Sequence, residues 1–207
     1  MVCGDCNSGW LNQIQQTARP LLLPLFEGRA HRIDGDAQSK IAAWIAMATM
    51  TGEYLSQDQK RVTVPQSDRD WLMAHPTAPA HWVIWIGRYR WQRAVVPQWV
   101  HLSLHVPDSD ALPDRLTEHH RPTTQTTAFC VGELFAFVMS SELPEVPPGC
   151  NWRTAPSANF KLHRIWPIEQ AAIQWSPAAM TDLEAQAYPV SFAAYMEGLA
   201  LRVGYRA

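Results

Sequence analysis

Near His81 the hydrophobic period of this chain changes from the spacing of helices to the spacing of strands. That change constrains the fold more than any other feature. Before it, Ile41, Trp44, Ile45, Ala48 and Leu55 follow the i, i+3, i+4, i+7 pattern of one helix face. Ala42, Ala43, Ala46 and Met47 widen that face, so a helix over 37–55, capped by Asp36, is expected to be well buried. After it, Trp82-Val-Ile-Trp-Ile-Gly87 is apolar on both faces, as in a central strand. Trp99 to Val106 alternates: Val100, Leu102, Leu104 and Val106 point one way, and Trp99, His101, Ser103 and His105 the other. Thr126–Ser140 reads as one long strand with a bulge or bend at Gly132, and Lys161–Ile168 as a shorter strand. Loops rather than long helices separate these segments, which predicts antiparallel pairing.

Helices flank the strands. Asn7 or Ser8 can cap a helix running to Arg19, where Pro20 is expected to stop it. Residues 29–36 read as a polar connector, and 67–74 as a short helix opened by Ser67 or Asp68. Ser176-Pro177 is a helix start, with Ser as cap and Pro in the first turn, for a helix to about Ala187. Ser191 can cap a last helix through about Arg202. The fold class is therefore α+β: N-terminal helices, an antiparallel sheet and two C-terminal helices.

The chain has 207 residues, 47% of them apolar and 17% charged, enough for a sizeable core. Ten Trp suggest either a large core or a surface that stacks on a partner. The net charge of −2 excludes a polybasic nucleic-acid binder, so any such contact must come from a local patch. No apolar run is long enough to cross a bilayer, and no signal peptide opens the chain. A cytoplasmic location is expected, and four cysteines suit a reducing compartment.

Met1-Val-Cys-Gly-Asp-Cys-Asn-Ser-Gly-Trp10 carries the most specific chemistry. A C-x-x-C turn places two thiolates, Cys3 and Cys6, on one side of a metal, while tetrahedral zinc takes four ligands. Taken alone, the pair is also compatible with a redox couple or with two cysteines in a turn. The whole string through Trp10, followed by Ala18-Arg-Pro-Leu-Leu-Leu-Pro-Leu25 and the Trp44 helix, resembles the HNH-type endonuclease family, in a subgroup with a CxxCNxGW signature. The resemblance implies that Cys3 and Cys6 are half of a structural zinc site. It implies that Asn7 sits at the helix-head position that binds the catalytic metal, magnesium or another divalent ion. It makes residues 1–19 a remnant of a ββα-metal element and 20–207 an associated α+β domain of unreadable role. It also implies a DNA substrate. The family's Asp-His or Glu-His base pair and first cysteine knuckle do not precede Cys3, so the chain is expected to be the C-terminal part of such a protein. It is expected to lack metal-dependent cleavage by itself.

Other candidates carry blander readings. His101 and His105, four residues apart on a strand, stand roughly 13 Å apart, too far for one metal. Glu118-His119-His120 reads as a solvated loop rather than a permuted base. Cys130 and Cys150 could complete a four-cysteine site, although a buried apolar role suits Cys130 better. Arg88-Tyr-Arg-Trp-Gln-Arg93 mixes cations and aromatics, as nucleic-acid grooves do, so Arg88, Arg90 and Arg93 are candidate phosphate contacts. Asp182 and Glu184 read as a solvated helix face. The alternative to the nuclease reading is a non-enzymatic module that binds nucleic acid or protein through its Trp/Arg-rich sheet.

Overall fold

The computed structural model describes residues 4–55, 62–90, 99–104, 124–141, 161–175 and 178–185. Two N-terminal helices, α1 (Gly4–Ser8) and α2 (Trp10–Phe26), lead to a short strand β1 (His31–Asp34) and the long helix α3 (Gly35–Gly52). A single 3-10 turn (Glu53–Leu55) and α4 (Gln66–Ala74) follow. The strands are β2 (Val83–Arg88), β3 (Trp99–Leu104), β4 (Thr124–Val131), β5 (Leu134–Ser141), β6 (Leu162–Trp166) and β7 (Ala172–Trp175). The fold is α+β with antiparallel sheets. Five strands form one sheet in the order β3-β4-β5-β2-β6, and β1 pairs with β7 in a separate ribbon.

β2 lies between β5 and β6, and its residues from Val83 to Gly87 are all buried. That explains its apolar character on both faces. Trp82, Ile84, Ile86, Phe129, Ala136 and Val138 meet the helices on one side. Val83, Trp85, Ala128, Phe137 and Met139 form a second cluster on the other, where Met180 and Ala185 pack. Trp82, Trp85 and Trp175 have no exposed surface. These tryptophans are core and not a stacking surface. No helix among the described residues is long and apolar enough to cross a membrane.

Several local expectations need correction. α2 does not stop at Pro20: both Pro20 and Pro24 lie inside it. Leu11, Ile14, Ala18, Leu22 and Leu25 carry one buried face across the prolines, so packing overrides the local preference. Pro20 deprives only the Gln16 carbonyl of its donor, and both residues are solvent-exposed, so water can replace the lost bond. A boundary between residues 19 and 20 therefore falls inside a continuous helix. The connector over 29–36 contains β1, and the cap of α3 is Asp34, whose Oδ1 accepts from the Ala37 amide at 2.9 Å, rather than Asp36. The long strand is a hairpin, β4 and β5, turned by Gly132 and Glu133. Gly132 has φ +57°, and an added Cβ would stand 2.4 Å from the Phe26 carbonyl oxygen, so only glycine fits. Glu133 locks this turn to its surroundings: its amide donates to Phe26, its carbonyl accepts from Tyr89, and its carboxylate pairs with Arg88.

The first C-terminal helix begins at residue 182, six residues after Ser176. Thr181 and Glu184 form a reciprocal capping box: the Thr181 hydroxyl accepts from the Glu184 amide, and the Glu184 carboxylate accepts from the Thr181 amide. Neither acidic residue of this turn is simply solvated. Glu184 also accepts from Lys161, and Asp182 accepts from the buried Tyr89 hydroxyl at 2.8 Å. The expected last helix over 191–202 lies outside the described residues.

Candidate functional site

The cysteine element folds as two helices with one break. Gly9 makes the break: its backbone turns out of the helical region at ψ −116°, and a Cβ there would stand 2.7 Å from the Asp5 carbonyl oxygen. Cys6 is half-buried on α1, and Asn7, beside it, is exposed. Cys3 lies outside the described residues. Trp10 and Leu11 then tie the head of α2 to the protein, Leu11 buried and Trp10 packed against the main core.

Cys6 borders a pocket of about 330 Å³ at the C-terminal end of α3. Trp10 and Leu11 of α2, Met47 and Met50 of α3, Tyr54 of the 3-10 turn and Met73 of α4 form its apolar walls. Thr51, Gln66, Arg69 and Asp70 supply its polar atoms. Tyr54 and Met73 are 48% and 52% exposed, so the pocket opens to solvent. Its volume is at the lower end of small-molecule sites, roughly 300–1,000 Å³.

A buried ion pair holds the pocket's floor. The Glu53 side chain has no exposed surface, and its Oε2 accepts from Arg69 Nη2. Its Oε1 accepts from the amides of Thr63 and Val64 at 2.9 and 3.1 Å. Arg69 donates its other terminal nitrogen to the Met50 carbonyl at 2.9 Å and lies over the Tyr54 ring, 5.0 Å from the centroid. Glu53 thus joins the end of α3, the segment at Thr63 and Val64, and α4 through one carboxylate. Such a charge is tolerated in the interior because each oxygen has donors.

The network continues into the sheet. His101 Nε2 lies 3.7 Å from Glu53 Oε1, and its Nδ1 lies 2.8 Å from the Thr127 hydroxyl. Thr127 donates to Gln125, and Gln125 to Ser140. Thr127, Gln125 and Ser140 are all buried. His101 is therefore not an open sheet-face histidine: its side chain is only 9% exposed. One turn before Glu53, the buried Thr49 hydroxyl has no hydrogen-bond partner among the described residues. Strand periodicity alone did not mark this network, because His101 alternates like any surface residue; the signal available was Glu53, an acid just past the end of the apolar stripe of α3.

The remaining candidates disperse. Cys130 packs with Ala128, Phe135 and Phe137 on the sheet face away from α1–α3, so it cannot join Cys6 around one metal. Burial pushes its thiol up to about 12, which disfavours the thiolate that zinc needs. Arg88 is committed to Glu133 at 2.6 Å, and Arg90 is exposed. Arg93, His105, Glu118, His119, His120 and Cys150 lie outside the described residues. Among the described residues, no three His, Cys, Asp or Glu side chains stand together as a metal site. Comparison with protein-family models, with curated proteins and with solved structures finds no match to this chain.

Proposed function

We propose that this chain derives from an HNH-type metal-dependent endonuclease acting on DNA, contributing half of a structural zinc knuckle and an α+β domain that supports it. The observation that carries this reading is the string Cys3-Gly-Asp-Cys6-Asn7, with Cys6 and Asn7 on α1 and Asn7 exposed shortly before the start of α2. Cys3 and Cys6 would supply two thiolates to zinc, half of a tetrahedral set. The Asn7 side-chain oxygen is a hard donor suited to magnesium or a similar divalent ion. A metal bound there would stabilise charge on the scissile phosphate. The chain's own part is mechanical: Leu11, Ile14 and Ala18 are buried in the core, so α2 holds the Asn7 end of the element in a set position.

The Trp/Arg-rich sheet is a weaker alternative. The described tryptophans in and beside the central strands are buried, and Arg88 already has a carboxylate partner.

Cobalt titration tests the proposal. Cobalt should give a thiolate charge-transfer band that disappears when Cys3→Ser and Cys6→Ser are combined. Binding should be weak, because two thiolates leave the other positions to water. Absence of the band at millimolar cobalt, or its survival in the double variant, would contradict the reading. Plasmid cleavage with magnesium or manganese should stay at background. Cleavage abolished by Asn7→Ala would show that this chain supplies its own base.

A further inference from the structure

The pocket beside Cys6 has a charge pattern that the nuclease reading does not use. Its lining holds one cation and one anion, Arg69 and Asp70. They are not equivalent. Arg69 is 15% exposed and paired with the fully buried Glu53, so its charge is cancelled within the protein. Asp70 is exposed, accepts only the Gln66 amide at 2.8 Å, and makes no ion pair among the described residues. Among the described residues, the uncompensated charge at the pocket is therefore negative.

The walls suit a particular counter-charge. Tyr54 and Trp10 offer aromatic rings, and aromatic faces attract organic cations. Met47, Met50 and Met73 add polarizable, adaptable thioethers. Arg69 lies over the Tyr54 ring, 5.0 Å from its centroid, and takes up one face of it. A volume of about 330 Å³ admits one small ring or alkyl stem with its head group.

We infer that this pocket binds an organic cation, an ammonium or guanidinium group on a compact apolar body. The body lies against the methionines and aromatic rings, and the head group meets Asp70. The inference stands apart from the cysteine element and needs no metal.

Methyl-labelled methionine offers a direct readout, since the chain has seven Met and three line the pocket. Phenethylamine, neutral 2-phenylethanol and anionic 3-phenylpropionate share one ring and differ in charge. Each is titrated while the methyl resonances are followed. Phenethylamine should shift Met47, Met50 and Met73 and bind about fivefold more tightly than the alcohol, with the anion weakest. Asp70→Asn keeps an acceptor for Gln66 and should remove that fivefold preference without changing the melting temperature. N-acetyl-arginine amide represents a partner's side chain, and whichever cation saturates first names the source. Equal binding of all three ring probes, tighter binding of the anion, unchanged selectivity in Asp70→Asn, or no response of these three methyls would overturn the inference.

Discussion

The two ends of helix α3 are held by different physics. At its start, Asp34 caps the backbone, Gln38 donates to the carbonyls of Ile33 and Gln170, and Ile41, Ala42 and Ile45 fill the core. Everything buried there is apolar or a neutral amide. At its finish, Thr49 lies buried with a hydroxyl that has no partner among the described residues, and the chain then places a carboxylate, Glu53, where no solvent reaches. The first end is stabilised by area removed from water, which tolerates modest change of shape. The second depends on every donor to Glu53 being in place, because a half-satisfied buried charge is worse than none. The pocket, the cysteine element and the sheet histidine all meet the second end.

Variants can break this contrast. Arg69→Ala should have the largest effect. It leaves Glu53 charged and buried with two backbone amides, and loss of one partner from a buried pair costs about 3–5 kcal/mol. Urea denaturation would register it, and a loss under about 1 kcal/mol would mean that water already reaches Glu53. Ile45→Ala follows, at about 2–5 kcal/mol for a cavity in a packed core. Trp44→Ala should cost less than truncation of a fully buried Trp such as Trp85, because Trp44 is half-buried, packed between Phe26 and Phe129 at centroid distances of 5.8 and 6.2 Å. The helical stripe marks Trp44 as central, yet the buried side of α3 runs through Ile41, Ala42, Ile45 and Ala46 instead.

Asp34→Ala should cost about 0.5–2 kcal/mol, the range for a lost helix cap, with the pocket's methionine resonances unmoved. The smallest effect belongs to the half-buried pair of Lys161 and Glu184. Lys161, and then the Thr181 amide, hold the Glu184 carboxyl below its ordinary value of 4.5. A lowered folded value means that its contribution is present above 4.5 and fades as the pH falls through the folded value. Glu184→Gln should therefore lower stability slightly near neutrality and flatten its loss on the acid side.

The contrast also explains what could be read from the amino acids. Apolar period marks α3, β2 and β6, because burial of regular elements writes itself into spacing. It misjudges α2, since a helix can cross Pro20 when both the proline and the carbonyl it frees face water. It merges β4 and β5, since Gly132 serves equally as a bend or as the first residue of a tight turn. It misses β1 and β7, because four-residue strands give too few alternations to count. The pocket is the least legible. Its walls come from α1, α2, α3, the 3-10 turn and α4, so no single window contains it. Glu53 and His101 are 48 positions apart in the sequence, and the long-range meeting of a carboxylate and an imidazole leaves no local pattern.

A double-mutant cycle on Glu53 and Arg69 tests the central claim most directly. Glu53→Gln, Arg69→Met and the combined variant would be compared with wild type by equilibrium urea denaturation. If the pair organises the far end of α3 as a unit, each single change should destabilise strongly. The double variant should then cost much less than their sum, a coupling of about 1–3 kcal/mol. Additive losses within about 0.5 kcal/mol would contradict the claim, showing that Glu53 and Arg69 act independently.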